Sequence, residues 1–224
     1  MVSQCVTPIK GRVIRVMKLD VCGSIVTGAS SAMVVADGFI SVKNSPQYED
    51  GTEFVKKRAD GFLCVNQKDP GQLKRVELES VFCTIDPDLR VIMDGARLLQ
   101  TSGVTGSGAV FTDALNTNRF SLEIWQNITG RGACNSAGQQ QYVYWFYPNL
   151  GNPKISDFTV ENAALEWHET MESQGVGYNW GAYPTAAPPS TYLGGNALQV
   201  GDHYGYMITS VAPPTAACGA VLVT

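Results

Sequence analysis

Residues 142–147 read Tyr-Val-Tyr-Trp-Phe-Tyr, five rings in six positions. In an extended strand successive side chains point to opposite faces, so Tyr142, Tyr144 and Phe146 share one face and Val143, Trp145 and Tyr147 the other. Both faces are bulky. A strand of this kind needs cover on both sides, which a lone half-wetted sheet does not supply and a layered β architecture does. Tyrosine and tryptophan combine apolar bodies with polar tips, so three uses are open. The block is core on both faces, or core on one and subunit contact on the other, or a stacking platform for sugars or single-strand bases.

The rest of the chain reads as strands separated by turn signals, with one helix. Residues 12–21 (RVIRVMKLDV) are rich in Val and Ile and predict a strand. Asp37-Gly38 in "VVADGFISV" and Asp60-Gly61 in "KRADGFLCV" each predict a tight hairpin turn. Between them, residues 43–54 (KNSPQYEDGTEF) are polar and marked by Pro and Gly, which predicts an extended surface loop. In 73–85, Arg75, Glu77 and Glu79 alternate with Val76, Leu78 and Phe82, as in a strand with one wet face. The helix falls at about 87–94: Asp86 caps it, Pro87 suits its first turn, Asp88 favours its positive end and Gly95 stops it. Residues 101–109 read as a flexible connection, 119–127 as a strand with Phe120, Leu122 and Ile124 on one face, and 149–153 as a turn. Further strands are expected in 154–162, 164–172 and 203–212, a long Pro/Ala/Gly loop at 175–196 and a C-terminal arm at 212–224. The expectation is a single mainly β domain over 1–224, a sandwich or barrel with one short helix.

Composition narrows the function. Charged residues make up 16% of the 224, against about 25% in average domains, and the net charge is −4. That balance argues against a protein that grips phosphate backbones. The N-terminal stretch has no apolar core of signal-peptide length and no run is long enough to span a membrane, so no membrane insertion is expected. The six cysteines contain no CxxC pair and read as reduced thiols, Cys64 and Cys83 serving as small hydrophobes inside strands. Motifs for chemistry fall one residue short. "GSIVTGAS" has Ala29 where a phosphate loop needs Lys, "GVGYNW" has Trp180 at the third glycine position, and "HETME" has Glu172 in place of a second His. Of the two histidines, His168 and His203, neither lies in a motif. Neither an enzyme nor any cofactor or metal is expected.

Several stretches carry a family resemblance: "KLDVCG" (18–23), "DGFISV" (37–42), "SPQYEDG" (45–51), "IDPDL" (85–89), "YVYWFYPNLGN" (142–152), "DHY" (202–204) and "APPTAACGAV" (212–221). Through most of its length the chain resembles the major tail protein of long, non-contractile-tailed phages (siphophages) of actinobacteria. The resemblance implies a tail-tube fold, a small β-sandwich or barrel with one packed helix, and a structural role in the virion. Six copies would form a ring, and rings would stack into a hollow tube around a tape-measure protein, with DNA passing through the lumen. Tail terminator and distal tail proteins would be further partners. The tail-tube loop that reaches the next ring would correspond to 43–54, making Asn44, Pro46, Tyr48, Glu49 and Asp50, with Trp145 and Tyr147, candidate subunit contacts. The alternatives are another virion component, such as a tail-completion or capsid-decoration protein, and a carbohydrate-binding β-sandwich using the aromatic block and Trp180.

Overall fold

A computed structural model describes residues 5–28, 32–100, 107–130, 132–175 and 198–221. The protein is mainly β, 53% strand, with antiparallel pairing and one short helix. In chain order the elements are β1 (Thr7–Leu19), β2 (Met33–Ala36), β3 (Phe39–Glu49), β4 (Glu53–Lys57), β5 (Leu63–Lys68), β6 (Gln72–Phe82), α1 (Pro87–Asp94), β7 (Arg97–Gln100), β8 (Ser107–Val110), β9 (Arg119–Thr129), β10 (Tyr142–Ile155), β11 (Trp167–Ser173) and β12 (Gly205–Thr209).

Strand β10 organises the layers. Its first half, the aromatic block, pairs with β9 on one side and β12 on the other, and β9 continues through β1 to β2. Its second half pairs with β11, and the same eight-stranded sheet curls on through β6 to the edge strand β3, so that its two halves face each other as layers. The pairing shifts register after Tyr147 and again after Gly151, and Asn152 takes φ 52°. These irregularities bend one strand from one layer into the other. The turn expected at 149–153 is therefore a bend inside a continuous strand.

The two faces of the first layer bury two apolar clusters. On one face Tyr142, Tyr144 and Phe146 join Val13, Met17, Trp125 and Val35, closed over by Leu198, Met207, Val211 and Ala216. On the other, Ile14, Val16, Phe120, Leu122, Ile124, Tyr147 and Leu150 meet Val76, Leu78, Phe82 and Met171 of the second layer. Helix α1 closes one end of this interior with Leu89, Ile92 and Met93. Its caps are the expected ones: Asp86 accepts from the Asp88 and Leu89 N–H groups, and Gly95 adopts the left-handed φ of 68°. The second Asp86 oxygen accepts from Gly219 N–H at 3.0 Å. It pins the C-terminal arm, which then runs along β2 through Ala217 N–H to Val35 O and Val221 N–H to Met33 O.

Each face also carries one buried ionic cluster. Arg15 and Glu123 are cross-strand partners on β1 and β9 and form an ion pair; the Tyr144 hydroxyl donates to the second Glu123 oxygen, and the Arg15 guanidinium lies over the Trp125 ring. Removing one partner of such a pair leaves an uncompensated buried charge, a cost of about 3–5 kcal/mol. On the interior side Arg90 of α1 donates to Glu169 (2.6 Å) and Asp94 (3.1 Å) and lies between the faces of Phe82 and Trp167, each 5.3 Å away. Two carboxyls share one cation there, and burial pushes both up, Glu169 to about 8.

Several local expectations give way to packing. Asp37-Gly38 is no hairpin turn: β2 pairs with β1 and β3 with β6, so these residues carry the chain between layers. Gly38 is there for close approach, because a Cβ would strike the Thr84 side chain. Residues 43–49 are not a loop but the outer half of β3, paired with β6, and 50–52 are its exit. The polar look of 43–49 is that of an edge strand, and its exposed Pro46 sits where the sheet asks for no donor. Ser107 to Ala109 belong to β8, while 101–106 lie outside the described residues. Of 154–162 only Lys154 and Ile155 are strand. The loop expected at 175–196 falls outside the described residues beyond Gly175.

A pH test follows from the Arg90 cluster. Glu169 binds its proton more tightly folded than unfolded, so its contribution to stability is full below the ordinary carboxyl range and is lost as pH rises through about 8. The urea midpoint of the wild type should therefore fall between pH 5 and 8 relative to Glu169→Gln, by a difference on the order of a few kcal/mol in unfolding free energy. Parallel pH profiles for the two proteins would contradict the assignment.

Candidate functional site

The feature that the fold does not account for is a hairpin. Strands β3 and β6 end on the pair Glu49 and Gln72, and residues 50–71 leave the layers there to form β4 and β5. At the root Asp69 N–H donates to Thr52 O, and a Cβ on Gly51 would strike the Asp69 backbone, so the two chains cross at closest approach. The Asp-Gly turn expected at 60–61 is present, with Gly61 at φ 87°. The tip is ordered by local bonds: Arg58 N–H to Phe62 O, Gly61 N–H to Arg58 O, and Phe62 N–H to the Asp60 side chain. Arg58 lies over the Phe62 ring at 5.7 Å.

Every residue of β4 and β5 is exposed. Phe62 is 66% exposed, and Phe54, Val55, Leu63 and Val65 are also uncovered, as is Tyr48 at the root. A two-stranded ribbon alone is marginal in water. Apolar side chains exposed on both strands make the ribbon a candidate contact surface. Ion pairs at the root, Lys74–Glu49 and Lys68–Asp50, are solvent-exposed and contribute little. Cys64 lies on β5 and is exposed, as are Cys83 and the other four cysteines, all free thiols. The two expected to be small core hydrophobes are outside because β5 has no layer above it and Cys83 follows the end of β6.

A second site lies in the seam where β3 approaches β9 and β10 without pairing to them. A pocket of about 210 Å³ opens there, lined by Phe39, Val42, Asn44, Ile124, Gln126, Trp145 and Tyr147. Trp145 Nε1 donates to Gln126 Oε1 at 2.8 Å, and its ring meets Tyr206 at 5.0 Å. Tyr147 stacks on Tyr204 at 5.9 Å; burial first, then Tyr204, pushes its hydroxyl up to about 12, against the opposing hydrogen bond from Asn44. Asn44 Oδ1 is buried and has no hydrogen-bond partner.

The candidate contacts thus divide. Asn44, Trp145 and Tyr147 converge on the seam pocket. Pro46, Tyr48 and Glu49 run along β3 toward the hairpin, with Asp50 at its root. The aromatic block is not a stacking platform: Tyr142, Tyr144, Phe146 and Tyr147 are buried by this chain's own core, and only Trp145 is half-buried. Trp180 lies outside the described residues.

Groups that suggest catalysis are otherwise engaged. The "HETME" stretch is on strand β11, so His168 cannot offer the helical spacing of a zinc site; it lies 3.6 Å from both Glu79 and Glu166. Ser173 Oγ is 2.8 Å from His203 Nδ1, and burial lowers the His203 pKa. Ser173 is 3% exposed and already accepts from Val76 N–H, so it has no path to a substrate. Among the described residues there is no group of three or more metal-ligating side chains, and no helix is long and apolar enough to cross a membrane. No protein-family model matches the chain, and no curated protein matches it.

Because Glu49 and Gln72 are already paired, a short Asn-Gly turn in place of residues 50–71 should close β3 onto β6 directly. The shortened protein should keep its near-UV circular dichroism and melt within a few degrees of the full chain. A loss of cooperative melting would show that the hairpin belongs to the core after all.

Proposed function

We propose that the chain is a structural virion protein, the tail-tube subunit of a long, non-contractile-tailed phage. It self-assembles into stacked hexameric rings, and the stack forms the hollow tail through which phage DNA is delivered. The observation that carries this reading is the β4–β5 hairpin, an ordered, apolar projection for which the subunit itself provides no cover. A structure of this kind is completed by another molecule, and the sequence resemblance names copies of the same chain.

Other features support it. A mainly β domain with one packed helix is the fold that the resemblance implies. The low charge and net acidity suit a wall past which DNA moves without adhering, since each retained cation–phosphate contact adds affinity. The buried ionic groups Arg15, Glu123, Arg90, Asp94 and Glu169 are paired with one another within the packing. The element proposed to reach the next ring is the hairpin within 50–71, in place of the loop expected at 43–54. The partners are then further copies of the chain, the tape-measure protein filling the lumen, and the terminator and distal tail proteins at the two ends.

Negative-stain microscopy of the purified chain at high concentration, beside the shortened protein lacking 50–71, tests the reading. Rings or hollow tubes from the full chain, and none or unstacked rings from the shortened one, are expected. A defined small oligomer that does not extend would favour a tail-completion or capsid-decoration protein. Identical tubes from both proteins would remove the hairpin from the account.

A further inference from the structure

The hairpin tip and the seam pocket answer to each other in size and chemistry. The pocket holds about 210 Å³, below the roughly 300–1,000 Å³ of small-molecule sites and a little above the ~150 Å³ that accepts a benzene ring. It is the volume of one aromatic side chain. Its walls are Phe39, Ile124, Trp145 and Tyr147, and its one unanswered polar atom is Asn44 Oδ1. The tip presents one ring, Phe62, held in place before any contact by the Asp60 and Arg58 bonds of its turn. Arg58 travels with that ring and carries guanidinium donors, the group that Asn44 Oδ1 lacks.

Placement decides who can supply the ring. The hairpin leaves from the Glu49 end of β3, whereas the pocket is flanked by the Phe39–Asn44 half of the same strand. Donor and receptor therefore sit toward opposite ends of one element, and within the subunit Phe62 remains exposed. Used in one direction, a contact between two different patches on identical molecules is heterologous and passes from copy to copy, whereas a reciprocal exchange of tips would close a twofold dimer.

We propose that the seam pocket is the receptor for the hairpin tip of a second copy, with Phe62 of one subunit seated among Phe39, Ile124, Trp145 and Tyr147 of the next and Arg58 donating to Asn44. This rests on the self-assembly reading above and assigns its stacking contact to particular residues. The junction is head-to-tail: each subunit gives one tip and offers one pocket.

Two full-length variants test it by complementation. Phe62→Asp abolishes the donor on an exposed turn. Val42→Phe fills the pocket from within, and Asn44→Leu serves as a second receptor variant if the first does not melt like the wild type. By sedimentation velocity each variant alone should stop at its unit particle, with junction affinity reduced at least about 30-fold, the effect of losing a buried hot-spot contact. A 1:1 mixture of donor-dead and receptor-dead proteins has one working junction per pair, so it should form particles of twice the unit mass and none longer. If both receptor variants assemble as the wild type does, or the mixture fails to complement, the pocket is not the receptor and the self-assembly reading stands without it. If the wild type itself never associates, the tail-tube reading falls and this junction with it. Saturable quenching of pocket tryptophan fluorescence by a sugar, unaffected by Phe62→Asp, would assign the pocket to a ligand and overturn the proposal.

Discussion

From Tyr142 to Gly151 strand β10 is packed on both faces, and along its length it is hydrogen-bonded to β9, β12 and β11 and shared between two layers. Tyr144 is on its outer-cluster side, against Trp125 and hydrogen-bonded to Glu123; Tyr147 and Leu150 are on the interior side. The bend after Tyr147 then delivers the same chain to β11. Everything else is arranged around that strand: β9 and β12 flank its first half, β11 its second, and α1 closes the interior that it helps to bound. The aromatic density at 142–147 follows from this position, because the rings on one face meet the opposing half of the sheet and those on the other meet the connecting segments around Ile25, Leu198, Val211 and Ala216.

The buried charges fit the same constraint. Glu123 would be costly between two apolar layers were it not answered by Arg15 across the strand and by the Tyr144 hydroxyl from the next one. Arg90 performs the corresponding role for Glu169 and Asp94, and rings above and below it take the place of further oxygen partners. The contrast with the hairpin is sharp. A chain that satisfies a buried glutamate with two partners leaves Phe54, Phe62, Leu63 and Val65 exposed. That asymmetry singles out the hairpin as the surface on which the proposed assembly contact is placed.

Local chemistry was the legible part of the sequence. The helix and both of its caps follow from Asp86, Pro87 and Gly95, and the wet face of β6 from the alternation of Arg75, Glu77 and Glu79. Both faces of the aromatic strand were readable from period two alone. What was not legible depended on contacts between distant segments. Asp37-Gly38 and Asp60-Gly61 carry the same signal, yet only the second turns a hairpin, since Phe39 is drawn away to pack against Gly11 on β1. The polar stretch 43–49 looks like a loop because an edge strand has no partner on one side and carries Pro46 and Lys43 for that reason. Cys64 looks like core because β5 is apolar, and nothing local says that its layer is missing. Asn44 lies about a hundred residues before Trp145 and Tyr147, and only the curl of the sheet brings the three to one pocket.

The central claim, that the β4–β5 hairpin is completed by a second copy, is tested most directly by amide hydrogen exchange. In a dilute monomer the amides of 53–57 and 63–68 should exchange orders of magnitude faster than those of β9 and β10, and on assembly they should gain protection while the core strands do not change. Strong protection of the hairpin already in the monomer, or no gain when the protein assembles, would contradict the account.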